Sequence, residues 1–354
     1  MGLTQSQRAM IEKVRAVGSA ELAVPLSDEI CAYLAAVIVR DLGLNKRFSD
    51  VPSNISKFYC KDPPEKLALT KVPFWPLMER LSAIEPDSVT YFACLAAIHK
   101  ARLKYARILQ RQPIPTMDQV GPRGLLQFGM MSAKALTAFM LWRKWLYDID
   151  NRAAQETGYL FEPIIAHAIG GVPVSAKKSP IRRHRDEKKG RQVDCIREKR
   201  AYEIKMRVTI AASGQGRWAE ELDFPRDCRD SGYTPVLIVF DPSKNSKLRE
   251  LSRTFEEQRG EVYVGKGAWK HLDEQAGKTM ATFLESYVRV PIQALLEEIP
   301  EAGRLPEVTL AMTGDAFNVL VAGEKFEVYR SSPDLDLLTE KELPEDVDEE
   351  LPGP

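Results

Sequence analysis

The stretch Gln192-Val-Asp-Cys-Ile-Arg-Glu-Lys-Arg-Ala-Tyr-Glu-Ile-Lys-Met-Arg207 decides how the rest of the chain is read. It reads as two short strands, Gln192–Arg197 and Arg200–Met206, joined by the charged turn Glu198-Lys199. Side chains alternate across a strand, so Glu203 and Lys205 share a face. With a two-residue turn and antiparallel pairing, Arg197 faces Arg200, and counting back puts Asp194 opposite Glu203. Opposed residues have Cβ atoms roughly 5 Å apart. Two carboxylates and an amine therefore occupy one small patch of sheet. The carboxylates repel unless something cationic lies between them. Lys205 is one answer, and a divalent metal with oxygen ligands is the other.

Upstream, Lys177–Arg191 is a basic loop with Lys177, Lys178, Arg182, Arg183, His184, Arg185, Lys188, Lys189 and Arg191 against only Asp186 and Glu187. A charge run is usually a solvated tip, but its place before a two-carboxylate hairpin suits phosphate binding. Before it, Asn151–Gly171 has a helical apolar face of Ala154, Phe161, Ile165 and Ala168, with Glu162 at its border. Pro163 should kink that helix or start a new one, and Gly170-Gly171 should end it. Downstream, Arg217–Ser231 reads as a helix interrupted at Pro225, and Pro235–Asp241 as a strand buried on both faces. Lys244–Gln258 reads as a helix, Glu261–Val264 as a strand and Ala268–Ser286 as a helix. This alternation predicts a mixed α/β (α+β) sheet that takes the hairpin as antiparallel members.

Residues 1–147 read as a helical region, with segments Asp28–Leu42, Phe74–Ile84, Asp87–Leu109 and Ala133–Trp145. The Trp, Met and Phe residues of Phe128–Trp145 are most simply core packing between helices. A sheet-and-helix core should then occupy 148–295 and a small β extension 296–332, with strands at Val308–Met312, Ala316–Val321 and Lys325–Tyr329. An acidic, disordered tail is expected over 333–354. That tail holds nine acids and one base, which leaves the body 49 bases and 41 acids within a net charge of zero. A basic body is compatible with a polyanionic partner.

Five cysteines without a CxxC pair, and four histidines not grouped with them, predict free thiols, a reducing compartment and no structural zinc. No signal peptide pattern opens the chain, and no apolar run is long enough to span a bilayer. A cytoplasmic protein with no membrane partner is expected. Gly2 and Ser6 match the bare myristoylation pattern, which nothing else supports. Neither an internal repeat nor a Gly-rich phosphate loop is present, and no cofactor-binding motif other than the acidic patch.

The pattern Asp194…Glu203-Ile-Lys205, preceded by a helix with an acid and followed by a helix and a buried strand, resembles the PD-(D/E)XK nuclease superfamily. An E-x-K triplet recurs by chance, and Glu187-Lys-Lys189 is a rival. Glu187 lies in a polar loop, however, whereas Glu203 is flanked by Ala201, Tyr202, Ile204 and Met206. Val193 stands where the motif has proline. Gly158-Tyr-Leu-Phe-Glu162 together with Gly190–Asp241 resembles the ApaLI-like family of type II restriction endonucleases. The resemblance implies a homodimer that cuts a palindromic site in double-stranded DNA, paired in function with a cognate DNA methyltransferase. The family's type member reads GTGCAC, but no residue pattern here specifies those bases.

Carried over by position, Asp194 and Glu203 would bind Mg2+, with the Ile204 carbonyl as a further ligand. Lys205 would hold and help deprotonate the attacking water, with a pKa lowered by burial and the metal. Glu162 would be the auxiliary helix carboxylate, and the products would carry 5′-phosphate and 3′-hydroxyl ends. DNA contacts are expected from the basic loop (Lys177, Lys178, Arg182, Arg183, Arg185, Lys188, Lys189, Arg191) and from Arg207 and Arg217. The helical basics Arg102, Lys104 and Arg107 are further candidates. The competing readings are a repair, recombination or RNA-processing nuclease of the same fold, and a DNA-binding protein on a scaffold that no longer cuts.

Overall fold

The computed structural model describes residues 2–16, 24–206, 215–241, 246–298 and 305–331. Helices α1 (Gln5–Arg15), α2 (Asp28–Asp41), α3 (Phe74–Ile84), α4 (Ser88–Arg111), the single turn α5 (Met117–Val120) and α6 (Ala133–Ala168) come first. Strand β1 (Val172–Val174) is followed by the hairpins β2 (Arg182–Arg183)–β3 (Asp186–Gly190) and β4 (Val193–Arg197)–β5 (Arg200–Lys205). Then come α7 (Gln215–Asp230), β6 (Thr234–Val239), α8 (Ser246–Glu257), β7 (Glu261–Val264), α9 (Lys266–Leu284) and α10 (Val290–Glu297). Strands β8 (Val308–Thr313), β9 (Ala316–Val321) and β10 (Glu324–Tyr329) form the expected antiparallel meander.

The main sheet runs β1-β4-β5-β6-β7. β1, β4 and β5 pair antiparallel, while β5, β6 and β7 pair parallel, so the sheet is mixed as expected. In the hairpin, Cys195 stands opposite Tyr202, Ile196 opposite Ala201 and Arg197 opposite Arg200, which is the register counted from the sequence. The turn holds Glu198 at φ 55°, the left-handed backbone that a tight hairpin demands.

Alternation along β5 and β6 divides the core in two. Tyr202, Ile204, Val236 and Ile238 face one layer of helices, in a cluster shared with α1–α4, the end of α6 and α9. Ala201, Leu237 and Val239 face the other, against Phe224 and Cys228 of α7 and Leu248, Leu251 and Phe255 of α8. Glu203 and Lys205 follow the odd-numbered alternation and point to the α7 side.

Three expectations change. First, α6 is one helix of 36 residues that passes through Pro163. Proline there leaves the carbonyl of Tyr159 without its intrahelical donor. Tyr159 is exposed, while Ile164, Ile165 and Ala168 carry the helix onward by burial in the core. Helix α7 likewise continues across Pro225. Second, the boundary expected at 147/148 falls inside α6, and the N-terminal helices share their hydrophobic cluster with the sheet. Third, of the Trp, Met and Phe residues there, Phe128, Met130, Met131 and Phe139 are exposed and only Met140 and Trp145 are buried, because the first third of α6 runs past the main core. Trp145 packs instead on the meander through Phe317 and Val328.

Helix α6 ends at Gly170, with φ 72°. A Cβ on Gly171 would meet Cys195 Sγ at 2.3 Å, so this glycine lets the chain leave α6 directly against β4. That tight exit brings the last turns of α6, with Glu162, beside the hairpin. The region 333–354 lies outside the described residues. All five cysteines are free, and no described helix is long and apolar enough to cross a membrane.

Candidate active site

Lys205 Nζ lies 2.8 Å from Glu203 Oε1, and both side chains are less than a fifth exposed. Across the hairpin, the Ile204 N–H donates to Asp194 Oδ2 at 2.8 Å. The Asp194 carboxylate is thereby fixed at the level of Glu203, as the register requires. Burial, then Glu203 and Glu162, push the Asp194 carboxyl well above the ordinary carboxylate range. Burial and then Glu203 raise Glu162 to about 7, and Lys205 opposes the rise. Asp194, Glu203 and Glu162, on the hairpin and α6, thus act on one another's charge, and Lys205 opposes the rise in both Asp194 and Glu162.

The lowered pKa expected for Lys205 belongs to the metal-bound state, and the metal-free site has a different balance. Burial alone would push its pKa down, but Glu203, Glu221 and Asp194 outweigh it and push the pKa up. Without metal, Lys205 is held as an ammonium ion. Glu221 of α7 is a residue that sequence reasoning missed, with Oε1 3.5 Å from Lys205 Nζ. The neighbouring Glu220 lies outward instead, paired with Arg183 at 2.8 Å. A helical projection around Phe224 and Cys228 is the only signal that could have separated the two positions.

Among the described residues, no three His, Cys, Asp or Glu side chains stand close enough to form a ready-made metal cluster. The chemistry of the donor set nevertheless fits a hard divalent cation. The acids offer only oxygen, and two of them are pushed toward protonation by burial and mutual repulsion, which a cation would relieve.

The basic loop is a small hairpin, β2–β3, and α7 neutralises much of it. Glu220, Asp223 and Asp227 form one stripe on α7 at helical spacing. Arg183 pairs with Glu220 at 2.8 Å and Arg185 with Asp223 at 2.8 Å. Asp227 is fully buried and accepts from the backbone N–H of His184 at 2.7 Å and from Arg191 Nη1 at 2.8 Å, with His184 Nδ1 2.6 Å away. Arg191 is itself buried and stacks over Phe224, so it braces the hairpin and does not present its charge at the surface. Lys177, Lys178, Arg182, Lys188 and Lys189 are exposed, Lys189 within 3.4 Å of Asp186. Arg207 and the side chain of Arg217 lie outside the described residues. The rival triplet Glu187-Lys-Lys189 sits exposed on β3. Of the helical basics, Arg102 donates to the Phe58 carbonyl at 2.8 Å and Lys104 pairs with Glu156 at 2.8 Å, so both tie the fold together.

A mixed sheet between two helical layers, carrying Asp194 and Glu203-Ile-Lys205 on one hairpin, is the α+β arrangement of restriction-endonuclease-like proteins. The chain belongs to the ApaLI-like restriction endonuclease family, whose model matches residues 70–289. It is 52% identical over 225 residues to the type II restriction enzyme ApaLI of Acetobacter pasteurianus, an alignment covering 62% of this chain and 60% of that protein. The match thus spans about three fifths of the relative's length. No solved structure matches the chain.

Proposed function

We propose that this protein is a type II restriction endonuclease that hydrolyses phosphodiester bonds in double-stranded DNA with Mg2+, leaving 5′-phosphate and 3′-hydroxyl ends. The observation that carries the reading is the half-buried Lys205–Glu203 contact at 2.8 Å beside the tethered Asp194 carboxylate, in a member of a restriction endonuclease family. Asp194 and Glu203 would hold the metal with the Ile204 carbonyl, and Glu162 would complete the acidic side from α6. The bound ion would polarise a phosphate oxygen and lower the pKa of a coordinated water.

The rest is the work of the chain's own groups. Lys205, kept cationic by Glu203 and Glu221, offers N–H donors to charge that grows on the phosphate oxygens or to the attacking water. With a metal neutralising the acids around it, Lys205 would hold the attacking water and help deprotonate it. The Ile204 N–H orients Asp194. Exposed Lys177, Arg182 and Lys188 supply positive charge beside the site for the DNA backbone. A homodimer acting on a palindrome, protection by a cognate methyltransferase and a cytoplasmic location belong to the same reading.

The test is digestion of varied plasmid and genomic DNA with Mg2+, followed by sequencing of the fragment ends. Discrete fragments with one recurring end sequence are expected. Intact DNA throughout, or cutting confined to forks and flaps, would overturn the reading. Lys205→Ala and Glu203→Ala should abolish cutting and retain DNA binding.

A further inference from the structure

Before α6 begins, the chain turns through α5 and a 3-10 turn at Gly121–Leu126 and folds back along the first turns of that helix. Val120, Leu136 and Met140 make a small cluster of their own beneath it, separate from the main core. Gly124 lies so close to Met140 that a Cβ there would come within 2.9 Å of its sulfur. Arg143 Nη1 donates to Gln127 Oε1 at 3.3 Å. The arm is therefore pinned to α6 at both ends of the turn, and its outer side chains are left facing solvent.

Those side chains are apolar. Leu125, Leu126, Phe128, Met130, Met131 and Phe139 are between 38% and 87% exposed. At about 150–250 Å² for a large side chain, they present on the order of 700 Å² of apolar surface. An ordinary monomer leaves a largest patch of about 300–600 Å², and a standard interface takes about 800 Å² from each partner. On α6 itself, Ala135, Phe139, Trp142 and Leu146 recur at intervals of four, three and four residues, the spacing of a helix–helix seam, with Trp142 partly covered by Phe317. Phe139 and Leu146 of that seam are exposed.

Charge narrows the partner. From Met117 to Met140 the only charged residues are Asp118, Arg123 and Lys134. A nucleic acid backbone would call for a cluster of bases, which is absent here. A second copy of the arm meets no such demand. In a two-fold contact the same patch faces itself, the near-neutral surface carries no repulsion, and its methionines adapt to the opposing side chains.

We infer that the arm formed by residues 117–131 and the first turns of α6 is the surface through which two copies of this chain associate. The partner is the homodimer of the endonuclease reading, but the inference stands on this surface and is read without DNA or metal. Sedimentation equilibrium of the full chain across a concentration series should give a dimer. The double substitution Leu126→Glu with Phe128→Glu should weaken association by about 100-fold or more, with the circular dichroism spectrum unchanged. Leu295→Glu, an equally exposed leucine on α10, should leave the dimer intact. If the double variant fails to fold, Phe139→Arg on the helix reads the same contact. A wild-type monomer at every concentration, or arm variants with unaltered dimerisation, would overturn the inference. So would variants that lose DNA binding while their oligomeric state stays the same, which would make the arm a DNA contact. A protein that dimerises through the arm but cuts no DNA would overturn the endonuclease reading alone.

Discussion

Two successive hairpins carry a Glu-x-Lys triplet, and they differ in almost everything but those letters. In β2–β3, Glu187 and Lys189 stand on an exposed strand whose neighbours are tied to α7 by ion pairs. In β4–β5, Glu203 and Lys205 are half-buried in the middle of a five-stranded sheet, with Asp194 across the pair. The exposed triplet is solvated, so its charges interact weakly. The half-buried one has lost much of that solvation, and its groups set one another's protonation. Burial is what separates two charge pairs that read alike in the sequence.

The sharpest way to break this contrast is to remove the half-buried charges. Lys205→Ala or Glu203→Ala should slow single-turnover cleavage by about a thousandfold or more, whereas Glu187→Ala with Lys189→Ala should leave it within about twofold. Equal effects on the two hairpins would remove the distinction. Next in size is the brace between the β2–β3 hairpin and α7. Asp227→Ala leaves the Arg191 guanidinium buried without its carboxylate, and should cost about 3–5 kcal/mol in urea unfolding. Glu221→Ala should reduce cleavage by about tenfold, on the order of 1 kcal/mol of lost positioning of Lys205, with DNA affinity unchanged; Glu221→Gln should recover part of the rate.

The smallest effect is one of pH. Glu162 has its folded pKa raised from 4.5 to about 7. Between those values the folded protein keeps a proton that the unfolded chain releases, so this group's contribution to stability declines as pH rises through the window. In metal-free buffer Glu162→Gln should raise the melting temperature above pH 7 and make little difference below pH 4.5. Added Mg2+ should shrink the advantage, because the ion stabilises the ionised wild-type carboxyl. An identical pH dependence in the two proteins would place Glu162 away from the acidic patch.

Much of this site could be read from the chain because its logic is local. Alternation and a two-residue turn put Asp194, Glu203 and Lys205 on one face, and the observed pairing of Cys195 with Tyr202 keeps that register. The continuous apolar run after α7 could only be a strand covered on both sides, and β6 is one. What escaped the sequence depended on groups distant in the chain. Glu221 and Glu220 are adjacent and chemically identical, and only the packing of α7 on the sheet sends one to Lys205 and the other to Arg183. Arg191 reads as one more surface cation until Asp227, 36 residues later, is found beneath it.

By itself, then, the sequence determined the hairpin, its register and the mixed sheet, because each follows from strand periodicity and turn length. Only the tertiary structure decided that α6 runs unbroken through Pro163 to deliver Glu162. It alone decided that Glu221 reaches Lys205, that the basic hairpin is half neutralised by α7, and that Phe128 and its neighbours face outward. Those outcomes rest on burial and on charges brought together across the fold, where desolvation and Coulomb terms outweigh local propensity.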